Sequence, residues 1–449
     1  MFISTDDQRT NEMRWMPYTR HLIGAHGVTF TDAVSPHPLC CPARAEFVTG
    51  QYGQNNGVSY NRGVHGGYPA LRDPGNTLAR WLHHAGYQTG MAGKYLNQYA
   101  PDRASRKGWD HWNPSIRGVY SYNHTTFFND GNPALRRTHV DDAVTGYVNS
   151  YIREFARKKA PFYVWASDLA PHGRLTGDRG TEREGTNPLP ARRHRGTLAG
   201  VVNPATRKPS YGVGVRHGMK GGFTTPRLLG PAMNHKFETR IESLQAVDQG
   251  VRSIVHTLKR TGEWSNTYIV FTTDNGYLLG EHGLIEKNYL FDEALRVPLL
   301  VRVPGARPTT SDLPVTSVDI APTIADLTGV TPERVVDGES FAPLLRGDPL
   351  TWRDTQLVQT GRRARIWSDD GWKSRGVRTD RWTYGRNARS GRVELYDRKN
   401  DPFELVNLGR RRAYQAVVAE LARRTRLLKD CAGVDCRTRF GTVRQPDVG

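Results

Sequence analysis

Several absences narrow the class of this chain before any motif is considered. Its 449 residues include only four cysteines, too few to staple a disulfide scaffold. No apolar run approaches the roughly 20 residues that a membrane helix needs; Val297-Pro-Leu-Leu-Val301 is among the longest. The opening Met1-Phe-Ile-Ser-Thr-Asp-Asp-Gln8 has neither a basic n-region nor an apolar h-region, so no signal peptide is visible. There is no internal repeat and no low-complexity segment. The Gly and Pro content excludes a coiled coil, and the missing Gly-X-Y period excludes a collagen. Acidic residues are in deficit, 44 against 63 basic ones, which leaves a formal net charge of +19. Lysine is scarce as well, since 51 of those basic residues are Arg. No zinc finger, ribonucleoprotein motif or basic helix gathers this charge, so nothing supports nucleic acid as a partner. Two readings remain: a solvated Arg-rich surface, or one that attracts an acidic polysaccharide or a sulfate ester.

What is present predicts a folded α/β protein. Ten Trp, 19 Tyr and 14 Phe can build a core, and the length suggests about two or three domains. Residues 77–85 have helical spacing and stop at Gly86; residues 88–92 then read as a short strand. A helix is expected over 141–157 and a buried strand over 161–166. Apolar residues from Ile241 to Leu258 predict a helix over 237–261, closed by Gly262. Strands follow at 266–272 and 297–303, then a helix at 318–327. Alternation of strands and helices predicts a parallel sheet. After Arg346-Gly-Asp-Pro349 the pattern changes to short runs at 373–379, 382–386 and 392–397 and a helix over about 413–430. These predict a smaller antiparallel sheet with one helix. Residues 173–236 show no periodicity; between Arg174 and Arg227 there are 11 basic against 3 acidic residues. A stretch this long is either a functional loop or disorder.

Three constellations carry chemistry: Thr5-Asp6-Asp7-Gln8, Leu39-Cys40-Cys41-Pro42-Ala43-Arg44 running on to Thr49-Gly50, and Thr273-Asp274-Asn275-Gly276. The first and third each follow a short β-like run, and strand ends of a parallel sheet are where such folds place their sites. Asp6, Asp7, Asp274 and Asn275 offer only oxygen, which selects Ca²⁺ or Mg²⁺ and disfavours zinc. Either acidic segment alone would read as a turn.

The Cys40-Cys41-Pro42-Ala43-Arg44 segment with Thr49-Gly50 resembles the C-x-P-S/A-R signature of the type I sulfatases. In that family a dedicated formylglycine-generating enzyme oxidises the first Cys to formylglycine. Thr5-Asp-Asp7, Gly93-Lys94, Ala170-Pro-His172, Ala246-Val-Asp248, Thr273-Asp-Asn-Gly276, Val318-Asp-Ile-Ala-Pro-Thr323 and Leu395-Tyr-Asp397 with Asp401-Pro402 and Glu404-Leu405 stand in family order. Leu39–Arg44, Gly93-Lys-Tyr-Leu-Asn97 and Ser243-Leu-Gln-Ala-Val-Asp248 most resemble the N-acetylglucosamine-6-sulfatase and heparan 6-O-endosulfatase branch.

The resemblance implies an alkaline-phosphatase-like fold: a mostly parallel sheet flanked by helices, with a smaller C-terminal antiparallel α+β subdomain. The catalytic domain would span 1–345, with the basic insertion at about 173–236, and the subdomain 346–449. It also implies a metal site of Asp6, Asp7, modified Cys40, Asp274 and Asn275 holding Ca²⁺, with Mg²⁺ as the alternative. One hydroxyl of the hydrated aldehyde at residue 40 would attack sulfur, and the second would expel sulfate by reforming the aldehyde. Arg44 would hold that hydrate, Lys94 and Lys287 would bind sulfate oxygens, and His172 would protonate the leaving oxygen. The expected function is removal of sulfate from a sulfated sugar, such as 6-O-sulfated N-acetylglucosamine or a glycosaminoglycan. The rivals are a phosphonate monoester or phosphodiester hydrolase and a catalytically dead glycan-binding protein. Partners would be the sulfated carbohydrate and the maturing enzyme, with no nucleic acid and no membrane span. The basic segment would border the cleft and contact the glycan, or else be a disordered insertion.

Two departures stand out. Many sulfatases carry a His two residues after the Lys matched by Lys94; here Leu96 stands there, so Asn97 or another group must take its part. Gly173 follows His172 where a further residue and a Pro are usual. His282 is expected outside the reacting groups. Cys431 and Cys436, spaced C-x4-C without a matching ligand pair, read as a small loop disulfide, with free thiols as the alternative. That implies a secreted or periplasmic protein whose signal peptide is missing from this chain.

Overall fold

The computed structural model describes residues 1–174, 187–213, 230–443 and 445–446. Much of the basic insertion predicted at 173–236 therefore lies outside the described residues. The strands are β1 Phe2–Thr5, β2 Gly27–Phe30, β3 Gln88–Gly93, β4 His111–Arg117, β5 Thr125–Asn129, β6 Asn132–Arg136, β7 Phe162–Ser167, β8 Ile269–Thr273, β9 Leu278–Leu279, β10 Ile285–Glu286, β11 Leu299–Arg302, β12 Thr309–Ser311, β13 Gln356–Gly361, β14 Trp372–Arg378, β15 Trp382–Asn387 and β16 Val393–Asp397. The helices are α1 Pro17–Leu22, α2 Cys40–Thr49, α3 Gly53–Asn56, α4 Leu78–His84, α5 Val140–Lys158, α6 Pro231–Arg260, α7 Asp292–Leu295, α8 Ile320–Leu327, α9 Ala342–Arg346 and α10 Gln415–Leu428.

Ten strands form one sheet in the order β12-β2-β11-β8-β1-β7-β3-β4-β5-β6. Its centre, β8-β1-β7-β3-β4, is parallel. Its flanks are antiparallel through β11 on one side and the β4–β6 meander on the other. The sheet is thus more mixed than the alternating pattern predicted. β6 is largely exposed and polar, and nothing in its sequence marks it as a strand. β1 has only four residues yet lies at the centre, because all four are buried and both neighbours pair with it. α5 and α6 pack together on one face, where Val144, Val148 and Ile152 meet Leu244, Val251 and Val255. α2, α4 and α8 cover the other face.

A second, four-stranded antiparallel sheet, β13-β14-β15-β16, carries α10. Its core joins Leu357, Val377, Trp382 and Leu395 to Val417, Leu421 and Leu428. Cys431 and Cys436 form a disulfide beside it, and Asn55 donates to Cys431 O at 2.8 Å, tying that loop to α3. The two sheets are bound by Arg378, whose fork meets both Asp32 oxygens at 2.7 and 2.9 Å.

Candidate active site

The four central strands end together, and each delivers part of the site. Asp6 and Asp7 follow β1, Asp274 and Asn275 follow β8, Lys94 follows β3, and Ser167 ends β7 five residues before His172. The β1–β8 register pairs Thr5 with Thr273, so the acidic segments emerge side by side. Gly93 makes the β3 end fit: at φ +111°, a Cβ there would stand 1.8 Å from Ser167 O. Asp7 also has positive φ, 70°, an uncommon conformation for a non-glycine residue. It is held by Arg240, which donates to Asp7 O and pairs with Glu12, and by its own N–H, which donates to Asp274 Oδ1 at 3.0 Å.

Cys40 opens α2, all ten residues of which are buried. Its Sγ is 3.1 Å from Lys287 Nζ and 3.7 Å from Asp6 Oδ1. One turn along, Arg44 donates from Nε to Asp274 Oδ2 at 2.8 Å and from Nη1 to Lys94 O and Ser167 Oγ at 2.8 and 2.7 Å. Its Nη2 reaches Thr5 O and Asp6 Oδ2 at 3.4 and 3.3 Å. All five guanidinium N–H groups are thus accounted for without residue 40. Lys94 Nζ pairs with Asp6, and Lys287 Nζ with Asp7. Asn275 Nδ2 donates to Asp7 Oδ1 at 2.8 Å.

His172 follows the cis Ala170–Pro171 bond. Its Nδ1 lies 2.7 Å from Gly173 O and its Nε2 3.7 Å from Asp7 Oδ2. The bond to the Gly173 carbonyl assigns the neutral-ring proton to Nδ1, so the residue replacing the usual neighbour supplies the acceptor that orients the ring. Nε2 then faces the cluster. The structure therefore brings Asp6, Asp7, Cys40, Arg44, Lys94, Asp274 and Asn275, all buried, together with the half-buried His172 and Lys287 into one cluster. His282 lies apart from it, with its ring stacked on Phe291.

Electrostatics in the cluster is a contest between burial and opposite charge. Burial raises the Asp6 carboxyl, but Lys94, His172, Arg44 and Lys287 hold it well below the usual carboxylate range. Asp7 is likewise lowered, with Lys287 overcoming burial. Asp274 goes the other way: burial and the Asp6 charge push it up to about 6. Burial pushes the Cys40 thiol up to about 12, despite the two lysines. As a plain thiol it is therefore a poor nucleophile near neutrality, because the thiolate is the reactive form. Burial and Lys287 lower His172 to about 4.

The ligand atoms of Asp6, Asp7, Cys40 and His172 lie within 4.8 Å of one another, a group that can hold a metal ion. Asn275 Oδ1 is buried and has no hydrogen-bond partner. A buried, unpartnered amide oxygen on a side chain bonded to Asp7 is a ligand type that suits a hard cation.

Sequence reasoning missed several members. Tyr120 lies under His172, ring centres 4.6 Å apart, with Lys94 Nζ 4.9 Å from its centroid. Leu96, where a His was looked for, is buried in the core. Asn97 donates to Tyr120 OH at 3.0 Å. Tyr120 comes from the turn after β4, and no local pattern marks it. Ser167 was findable, because it ends a strand that was predicted. Asn61 Oδ1, which accepts from Cys41 N at 2.9 Å, lies in a loop without a signal.

A cluster of carboxylates, lysines and a cysteine thus sits at the carboxyl edge of the large sheet. The family model for sulfatases matches residues 1–330, and that for the C-terminal part of N-sulphoglucosamine sulphohydrolase matches residues 280–430. The chain belongs to the sulfatase family. It is 30% identical over 478 aligned positions to bovine (Bos taurus) N-acetylglucosamine-6-sulfatase, covering 96% of this chain and 83% of that one. A structure solved in complex with its substrate D-glucosamine-2-N,6-O-disulfate superposes with TM-score 0.76 at 23% identity, over 95% of this chain and 96% of the other. The phosphonate monoester hydrolase of Agrobacterium radiobacter has the same fold, with TM-score 0.71 at 20% identity over 94% of each chain.

Proposed function

We propose that this chain hydrolyses the sulfate ester of a 6-O-sulfated amino sugar, free or within a glycosaminoglycan, with Cys40 matured to formylglycine. The observation that carries the reading is the placement of Cys40 Sγ 3.1 Å from the Lys287 ammonium, at the N-terminus of α2, with Lys94 and His172 on the same cluster. The likeness to the bovine N-acetylglucosamine-6-sulfatase supports the sugar. The donor set fits Ca²⁺ or Mg²⁺, held by Asp6, Asp7, Asp274 and the unpartnered Asn275 Oδ1. Such a cation would supply fixed positive charge that acidifies a hydroxyl on residue 40.

The remaining parts belong to the chain itself. Lys94 and Lys287 place two ammonium charges where sulfate oxygens gather charge as the ester bond breaks. His172 Nε2 faces the cluster, where an incoming anionic ester raises its proton affinity and lets it protonate the departing alcohol. Arg44 aligns Asp6 and Asp274 and the ends of β3 and β7; we assign it positioning. The Cys431–Cys436 bridge supports an extracytoplasmic protein, and no helix among the described residues is long and apolar enough to cross a membrane.

Two measurements test the reading. The mass of a peptide containing residue 40, after expression with a formylglycine-generating enzyme, should fall by the thiol-to-aldehyde difference. The product should release sulfate from N-acetylglucosamine-6-sulfate faster than it cleaves an aryl phosphodiester. A persistent thiol, or the reverse preference, would overturn it. The 3.7 Å approach of Asp6 Oδ1 to Cys40 Sγ supports a working site over a dead one.

A further inference from the structure

The C-terminal sheet sends a loop to the segments that carry Lys287 and Asn61. Residues 362–371 join β13 to β14, and Gly361 at their base is bonded twice to Asn288. Gly361 N donates to Asn288 Oδ1 at 3.1 Å, and Asn288 Nδ2 donates to Gly361 O at 2.9 Å. Asn288 is the neighbour of Lys287, whose ammonium meets Cys40. The loop also leans on the segment that holds Asn61. Val64 N donates to Ala364 O at 3.3 Å, and the His65 ring stands 5.3 Å from the Trp367 ring, edge to face. Asn61, which accepts the Cys41 amide, is four residues from His65, at most about 14 Å of extended chain. The loop is therefore tied at two points to the chain segments that carry Lys287 and Asn61.

This loop is ordered by its own bonds. Arg362 N donates to Gly371 O at 2.7 Å, Arg362 pairs with Asp369, and Gly371 N donates to Asp369 Oδ1 at 3.1 Å. Yet it holds Trp367 in solvent at 75% exposure and Ile366 at 63%. Arg363 and Arg365, both exposed, precede them in the same loop, and neither has an ion-pair partner among the described residues. An exposed indole two residues after an exposed Arg with no ion-pair partner among the described residues, in a loop tied to the segments that carry Lys287 and Asn61, marks a binding surface and not a packing defect.

We propose that Trp367 with Arg363 and Arg365 is a platform for the sugar units adjoining the one whose sulfate lies at Cys40. A pyranose presents an apolar C–H face to an indole, and guanidinium forks match the sulfate or carboxylate groups of a polyanionic chain. The occupant is thus a sulfated or uronate-bearing oligosaccharide, and the substrate is a chain and not a lone sugar. This rests on the proposed sulfatase reading, since that reading fixes the chemistry of the unit at Cys40.

The test compares a size-defined heparin tetrasaccharide with N-acetylglucosamine-6-sulfate. By calorimetry on the Cys40→Ala protein at physiological salt, the tetrasaccharide should bind more tightly. Trp367→Ala should weaken it about tenfold, or about 1.4 kcal/mol, and shrink the tetrasaccharide-to-monosaccharide affinity ratio by that factor. Trp367→Phe should restore most of the ratio, and Arg363→Ser with Arg365→Ser should lower it without removing the ring. Equal affinity for the two ligands, or an unchanged ratio in Trp367→Ala with its fold intact, would overturn the platform. If the parent enzyme releases no sulfate from any ligand while the ratio still shifts, the sulfatase reading fails and the platform stands.

Discussion

Replacing Arg44 by Ala removes one buried cation that faces two buried anions, and the size of the loss follows from its bonds. Asp274 loses a charge-assisted bond of 2.8 Å, Asp6 loses one of 3.3 Å, and Lys94 O and Ser167 Oγ lose a shared donor. Breaking a buried pair from one side costs about 3–5 kcal/mol, because the stranded charge keeps its desolvation penalty. A proton limits the damage. Asp274 sits at about 6 with Arg44 beside it, and without Arg44 it rises further. A carboxyl raised above its unfolded value binds a proton in the native state that the unfolded chain gives up, so stability falls as pH rises through the native pKa. Near pH 5 Asp274 is largely protonated in both proteins, and the deficit is smallest. Above about pH 6 the parent has finished this titration and the variant has not, so the gap widens by up to about 1.4 kcal/mol per pH unit. Urea unfolding in chelator, followed by tryptophan fluorescence at pH 5, 6, 7 and 8, measures it. A deficit below about 1 kcal/mol at pH 8, or one that does not grow with pH, would refute the positioning role.

Three further outcomes are expected. Chelation should lower the thermal midpoint and Ca²⁺ should restore it, whereas Asn275→Ala, which lacks the unpartnered oxygen, should recover little; equal recovery in both proteins by calorimetry would count against the donor set. Unmodified Cys40, raised to about 12 by burial, holds so little thiolate at pH 8 that iodoacetamide should alkylate it about a thousandfold more slowly than a free cysteine, and Lys287→Ala should slow it again; a rapid reaction read by peptide mass would show the thiol to be activated. His37 is fully buried and is lowered to about 3, chiefly by burial. Its neutral form stabilises the fold above pH 6.5, and about 2 kcal/mol of that is lost by pH 5 as the unfolded chain takes up a proton, so His37→Leu should flatten the fall of the thermal midpoint between pH 7 and 5.

Much of this fold is legible because its local signals agree with its global pattern. α5 and α6 announce themselves by apolar spacing, and β7 and β8 by continuous apolar runs flanked by helices. α6 begins at Pro231, six residues before its predicted start, because the first turns are polar and rest partly on Met233 and Phe237. The β4–β6 meander and β13 were missed because β6 is polar and exposed and because Gln356-Leu-Val-Gln-Thr-Gly361 lacks strict alternation. The site splits the same way. Residues at strand ends were legible because a parallel sheet gathers them in space wherever they fall in sequence. Tyr120, Asn61 and Arg240 were not, because each reaches the cluster through contacts between elements far apart in the chain, and no spacing rule encodes those.

Charge bookkeeping inside the cluster explains what the net charge of the chain does not. Three carboxylates, Asp6, Asp7 and Asp274, face three basic side chains, Arg44, Lys94 and Lys287. The buried set is therefore formally neutral, which is how six ionised groups are tolerated away from water. A divalent cation entering alone leaves two uncompensated positive charges there, and a sulfate monoester entering alone leaves one negative. Together they leave one positive charge. Each therefore lowers the cost of the other, and by linkage the effect is reciprocal. In the Cys40→Ala protein, N-acetylglucosamine-6-sulfate should bind more tightly with saturating Ca²⁺ than in chelator, and Ca²⁺ should bind more tightly in the presence of the sugar by the same factor. Equal affinities with and without the cation would mean that Lys94 and Lys287 already offer their charge to the ester while paired with Asp6 and Asp7, and the neutrality argument would fail.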